Sequence, residues 1–150
     1  MYSVDASALI TAENDLYPHQ NFPQFWTQVQ NLVNQGRFHI VKAVHIELGR
    51  KDDHLKKWVD MHSQMVMSTN AKVENIVREI INKYPGLVVG HENEADPHVV
   101  AYAKEMGFKV VTQERRRGSA DRPKIPVLCR QHGVTAITCL EMIKEQNWVF

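Results

Sequence analysis

The sequence predicts an α/β domain: a five-stranded, mainly parallel sheet with helices on both faces. Three observations carry this. Short apolar runs alternate with helical periods along the whole chain, the pattern of strands joined by crossover helices. No internal repeat, low-complexity tract or Pro/Gly/Ser-rich linker interrupts the alternation. The second half also marks its strand and helix ends with Asp-Pro starts and glycine stops.

In order, YSVD (2–5) is the first strand and closes on an acid, and SALITAEN (7–14) begins a short helix. Tyr17 to Pro23 lies in a stretch with two prolines and several turn formers, and reads as a loop. The next helix places Phe25, Val29, Leu32 and Val33 on one face and stops at Gly36. FHIV (38–41) is the second strand, AVHIELGR (43–50) starts a helix carrying Glu47, and DDHLKKWVDMH (52–62) is further helix. The clearest helical period follows, with Val73, Ile76, Val77, Ile80 and Ile81 between an Asn70 N-cap and a closing Pro85.

GLVVG (86–90) is a short apolar run that reads as the third, buried strand. Asp96 is placed to cap the next helix, with Pro97 at its first position and Gly107 just past its end. FKVVT (108–112) is the fourth strand, QERRRGSADRP a polar loop, IPVLCRQHG a short helix, VTAI (134–137) the last strand and TCLEMIKEQN the terminal helix.

The length, 150 residues, suits one domain spanning 1–150, and 43% hydrophobic with 23% charged residues excludes a disordered or fibrous chain. There is no basic leader at the start and no apolar run near the about 20 residues a bilayer span needs, so a cytoplasmic protein is expected. The net charge of +1 exerts no global pull on a polyanion, and nucleic-acid binding would have to be local. Cys129 and Cys139 are too few for a disulfide framework and read as reduced packing residues. The eight histidines show neither H-E-x-x-H nor Cys/His ligand spacing, so His19, His39, His45, His54, His62, His91, His98 and His132 are expected in scattered surface and packing roles.

The acids are more telling. Asp5 ends the first strand, Asp96 caps the helix after the third, and Glu114 follows the fourth. In a parallel sheet these positions fall on the same edge, and Glu47 joins them if its helix starts there. Gathered carboxylates repel one another unless a cation neutralises them. Hard oxygen donors without nearby cysteine favour Mg²⁺ or Mn²⁺ over zinc. Each acid alone has a plainer role: a helix cap for Asp96 or Asp5, a solvated helix residue for Glu47, a loop acid for Glu114.

At VDASALI, the E-L after the second strand, EADPHVVAYA and VVTQE, the chain resembles the PIN-domain ribonucleases, from Met1 to about Ile137. The A-D-P before V-V-A-Y-A and the K-I-P-x-x-C at Lys124 to Cys129 carry a closer likeness to a bacterial and archaeal PIN group related to VapC-like toxins. The resemblance implies a three-layer sandwich and an endoribonuclease, the toxin of a type II toxin–antitoxin pair, that uses Mg²⁺ or Mn²⁺ to cut RNA and leaves 5′-phosphate and 3′-hydroxyl ends. It further implies a homodimer and a cognate antitoxin. By similarity the catalytic, metal-holding acids are Asp5, Glu47 and Asp96, with Glu114 as the fourth. Where many relatives read T-N-D, this chain has Thr112, Gln113 and Glu114, a carboxylate arm one carbon longer, and Asp121 is the reserve fourth acid.

Ser7 and Thr112 are placed to orient a ligand carboxylate or a metal-bound water, with a helix N-cap as the stronger competing role for Ser7. Arg115, Arg116 and Arg117, with Arg122 and Lys124 nearby, are candidates for the RNA backbone, against a solvated charge run. Trp26, Trp58 and Trp148 offer base stacking or core packing. The competing functional reading is a PIN-like fold that binds or assembles without cutting. A phosphoacceptor receiver would want a lysine after the last strand, where Thr138 and Cys139 stand.

Overall fold

In the computed structural model, which describes residues 1–90 and 94–150, five parallel strands form one sheet in the order β3-β2-β1-β4-β5. They are β1 Tyr2–Val4, β2 Phe38–Val41, β3 Val66–Met67, β4 Lys109–Val111 and β5 Ala136–Ile137. β1 is central, with Tyr2 opposite both Phe38 and Lys109, and Val4 opposite Val111. All residues of β1 and β2 are buried, as expected of parallel strands covered on both faces. His91 lies outside the described residues.

Period-2 alternation sends side chains to two helical layers. On one face Val4, Phe38 and Val111 meet Leu9 of α1 (Ala6–Thr11), Phe25 and Val29 of α2 (Pro23–Asn34), and Met142 of α8 (Cys139–Glu145). On the other, Ser3 Oγ donates to the Val99 carbonyl (3.0 Å) and His39 Nδ1 pairs with the Tyr102 hydroxyl (2.8 Å). Both partners sit on α6, Asp96–Met106, whose Val99 to Ala103 are all buried. The result is the three-layer α/β sandwich of a PIN-like fold. α3 (Lys42–Lys51), α4 (Asp53–Met61), α5 (Ala71–Lys83) and α7 (Ile125–Gln131) complete the eight α-helices among the described residues.

Most predicted helices form where their signals lie. Asn70 caps α5 by accepting from Val73 N (2.9 Å), and Gly107 ends α6 in the left-handed region at φ 70°. The first helix departs from expectation. After Thr11 it widens into a π-helix, Ala12–Leu16, closed by a bond from Tyr17 N to the Ala12 carbonyl (2.6 Å).

GLVVG is not a strand. Pro85–Val88 is a 3-10 turn in which Leu87 N donates to the Tyr84 carbonyl, and Val89 N donates back to the Gly86 carbonyl. Only Leu87 is buried, while Val88 and Val89 are exposed. Pro85 has no N–H for a ladder, and a Cβ on Gly86 would come within 2.7 Å of the Asp121 carbonyl oxygen. The third strand is instead Val66–Met67, an edge of two residues paired with Ile40 and Val41. Among the described residues no helix is long and apolar enough to cross a membrane.

Candidate functional site

Asp5 follows β1 directly, and its N–H donates to the Val111 carbonyl (2.9 Å), carrying the ladder one residue past the strand. It occupies the N-cap position of α1, but its side chain makes no capping bond. Instead its Oδ2 accepts from Ser7 Oγ (2.5 Å) and from Thr112 Oγ1 (3.1 Å). Each hydroxyl has a single proton to give, and both protons go to this carboxylate. The hydroxyl lone pairs then take backbone donors, Gln113 N on Ser7 Oγ and Glu114 N on Thr112 Oγ1, both at 3.1 Å. Gln113 Oε1 in turn accepts from Cys139 N at the start of α8 (2.9 Å). Ser7 and Thr112 therefore fix both Asp5 and the loop that carries Glu114.

Asp96 is the first residue of α6 rather than its cap. Ala95 holds the cap position and no side-chain capping bond forms. The shift by one residue points the Asp96 carboxyl to another use, and it joins Asp5, Glu47 and Glu114 in lining a single cavity of about 390 Å³. Four distant segments thus deliver carboxylates to one place at the carboxyl edge of the sheet. Lys51, Arg116 and Lys124 line the same cavity. A cavity of about 430 Å³ beyond the Glu47 side contains none of the other three acids, so the chemistry gathers in the smaller one.

The charges explain the geometry. Burial pushes the Asp5 carboxyl above its ordinary value; Ser7 pulls it down and Glu47 pushes it further up. Asp96 is raised well above the usual carboxylate value by burial, then by Asp5 and Glu47, with Lys124 opposing. For Glu114 burial acts upward, yet the Arg116 N–H and the Lys124 and Arg116 charges together hold it below its ordinary value. Two acids are drawn to cations: Glu47 to Lys51 (2.6 Å) and Glu114 to Arg116, whose backbone N–H donates at 2.9 Å. Among the described residues, the set of three acidic, histidine or cysteine side chains whose ligand atoms all lie within 4.8 Å of one another is Glu13, His19 and His54.

Several expectations change. Asp121 does not reach the cavity. It is exposed and takes a bond from Ser119 Oγ (2.8 Å), in a loop folded back by the Gly118–Pro123 bridge and the Lys124 N to Arg117 carbonyl bond. The three arginines part company: Arg116 faces the acids, while Arg115 and Arg117 line a separate cavity with Arg130. The tryptophans pack inward instead of offering platforms; Trp26 is buried with its N–H on the Tyr17 carbonyl (2.6 Å), and Trp58 and Trp148 pack against the core. Cys129 and Cys139 are free, buried thiols pushed up to about 12 by burial.

Lys51 is a contributor the sequence reading did not name, and two of the histidines expected in scattered roles, His19 and His54, are instead brought together with Glu13. Lys51 stands four residues after Glu47, a helical spacing that pairs opposite charges and is legible once sought. Glu13, His19 and His54 come from separate segments with no motif spacing.

A doubly covered parallel sheet with acids gathered beyond its carboxyl ends defines an α/β domain, and its candidate site lies at the edge where such sheets usually bind ligands. The chain belongs to the family described as a domain of unknown function (DUF4411), which matches residues 2–150. No curated protein matches it.

Proposed function

We propose that this chain is a metal-dependent endoribonuclease of the PIN type, a VapC-like toxin acting in the cytoplasm as a homodimer restrained by an antitoxin. One observation carries the reading: carboxylates from four separate segments line one cavity at the carboxyl edge of the sheet. The donor set fits Mg²⁺ or Mn²⁺, being made of carboxylate oxygens in a place where burial and mutual repulsion penalise their charge. Asp5, Asp96, Glu47 and Glu114 would hold the ion. When bound, such an ion polarises a phosphoryl oxygen and makes water a better nucleophile at neutral pH.

The protein's own residues do the remaining work. Ser7 and Thr112 hold Asp5 in one rotamer, so the carboxylate is oriented before substrate arrives. Arg116 and Lys124 on the cavity wall present positive charge to an RNA phosphate beside the acids. Lys51 holds Glu47 through a pair one helical turn apart, a contact that a bound cation would have to displace.

The test is cleavage of labelled single-stranded RNA by the purified chain in Mn²⁺ and in chelator. Wild type should cut only with metal, and Asp5→Asn and Asp96→Asn should not cut while keeping their circular dichroism. Wild-type rates in either variant would remove the catalytic assignment. The toxin role predicts that induced expression arrests growth and that Asp5→Asn relieves the arrest.

One observation favours a second reading, an inert binding or assembly module. Lys51 and Arg116 already neutralise two of the four acids. Such a module would show neither metal-dependent cleavage nor thermal stabilisation by Mn²⁺.

A further inference from the structure

Away from the acidic cavity, Glu13, His19 and His54 bring one ligand atom each within 4.8 Å of one another. Glu13 lies in the π-helix Ala12–Leu16, His19 in the loop after it, and His54 in the first turn of α4. The carboxylate is shared between the imidazoles. Glu13 Oε2 meets His19 Nδ1 and the His19 backbone N–H (3.1 Å), while Oε1 lies 3.4 Å from His54 Nε2.

The cluster is built rather than incidental. The His19 ring stacks on Trp26 at 3.8 Å and 10°, and Trp58 and His54 approach its edges at 5.8 and 5.2 Å. Trp26 is itself anchored by its bond to the Tyr17 carbonyl. His19 Nε2 is buried with no hydrogen-bond partner, an unfavourable state for a polar atom. Imidazole ligates metal through a ring-nitrogen lone pair, and the unpartnered Nε2 leaves this ring short of protein partners. His54 is 61% exposed, which leaves an entry path and room for water as a further ligand.

We propose that Glu13, His19 and His54 bind one divalent transition-metal ion of the zinc class. Two imidazoles and one carboxylate form a recurrent zinc donor set that leaves a coordination position open, and nitrogen donors select against Mg²⁺. The ion would join the π-helix to α4. Thr11, two residues before Glu13, and Lys51, three before His54, both line the acidic cavity, so the ion would brace two of its walls. The proposal stands whether or not that cavity cuts RNA.

The test uses the untagged full chain carrying Asp5→Asn and Asp96→Asn, which disables the acidic cavity. Chelator-stripped protein is titrated with Zn²⁺ against a chromophoric chelator, and separately with Co²⁺ while tryptophan emission is followed. One Zn²⁺ should bind per chain, and Co²⁺ should quench the emission through Trp26. His54→Ala, at an exposed position that leaves the fold intact, should weaken Zn²⁺ binding roughly tenfold or more, since losing even an outer partner of a ligand costs that much. Glu13→Gln should do the same. No bound Zn²⁺ in the parent, or undiminished affinity in His54→Ala, would overturn the site.

Discussion

Replacing Asp96 by Asn should stabilise the metal-free protein, an unusual result for a buried residue in a candidate active site. The side chain is 9% exposed, and burial followed by repulsion from Asp5 and Glu47 raises its carboxyl well above the ordinary 3.8. Two unit charges about 4 Å apart interact by about 4 kcal/mol at an effective dielectric of about 20, and by less as they separate. Two opposing effects reduce the gain: Lys124 attracts the charge, and the α6 N-terminus favours an anion by about 0.5 kcal/mol. Repulsion and desolvation together outweigh these, so a net gain of about 1 kcal/mol is expected, within the range of single stabilising substitutions. In a chain of this size that is a rise of roughly 2–4 °C in Tm.

The pH dependence fixes the sign. A carboxyl raised in the folded state loses stability as pH climbs from its unfolded value of 3.8 to its folded value, and the loss is complete above that. The advantage of Asn should therefore be full only above the folded value and shrink as pH is lowered toward 4. Thermal unfolding of both proteins in chelator, repeated across that range, measures the difference directly. Saturating Mn²⁺ should reverse the order, because the metal binds the acid and not the amide. If metal-free Asp96→Asn melts below wild type at neutral pH, or the gap is flat with pH, the four acids do not repel one another as described.

Thr112→Val removes a buried hydroxyl that donates to Asp5 and accepts from Glu114 N; it should cost about 1 kcal/mol in urea unfolding and lower any metal-dependent cleavage more than it lowers RNA binding. Lys51→Ala breaks an exposed helical ion pair, so stability should change by about 0.5 kcal/mol or less, while calorimetry should find tighter Mn²⁺ binding because Glu47 is released. Val100→Ala, at a fully buried position of α6, should cost about 2 kcal/mol by chemical denaturation and leave metal affinity unchanged.

The sheet edge was legible because its signals are local: an acid closing YSVD, Asp-Pro opening a helix, VVT running into Glu114. Where local signals are shared by two structures, reading fails. GLVVG has the composition of a buried strand, and only tertiary packing of Leu87 and the backbone at Gly86 decides for a turn. Val66–Met67 is too short to show alternation, and its strand character comes from its β2 partner. The choice between Glu114 and Asp121 depended on a loop fold set by Gly118 at φ 75° and by backbone bonds that composition does not encode. Glu13, His19 and His54 meet through a π-helix, whose period defeats helical spacing rules.

The Gln113 side chain has a consequence for how this protein can be watched. Ser7 grips the Gln113 amide while Gln113 grips the Cys139 amide, so the cavity rim and the last helix share one hydrogen-bonded seam. Deuterium uptake at those two amides should slow in step when an ion or nucleotide stiffens the rim, giving a reporter of occupancy that needs no label.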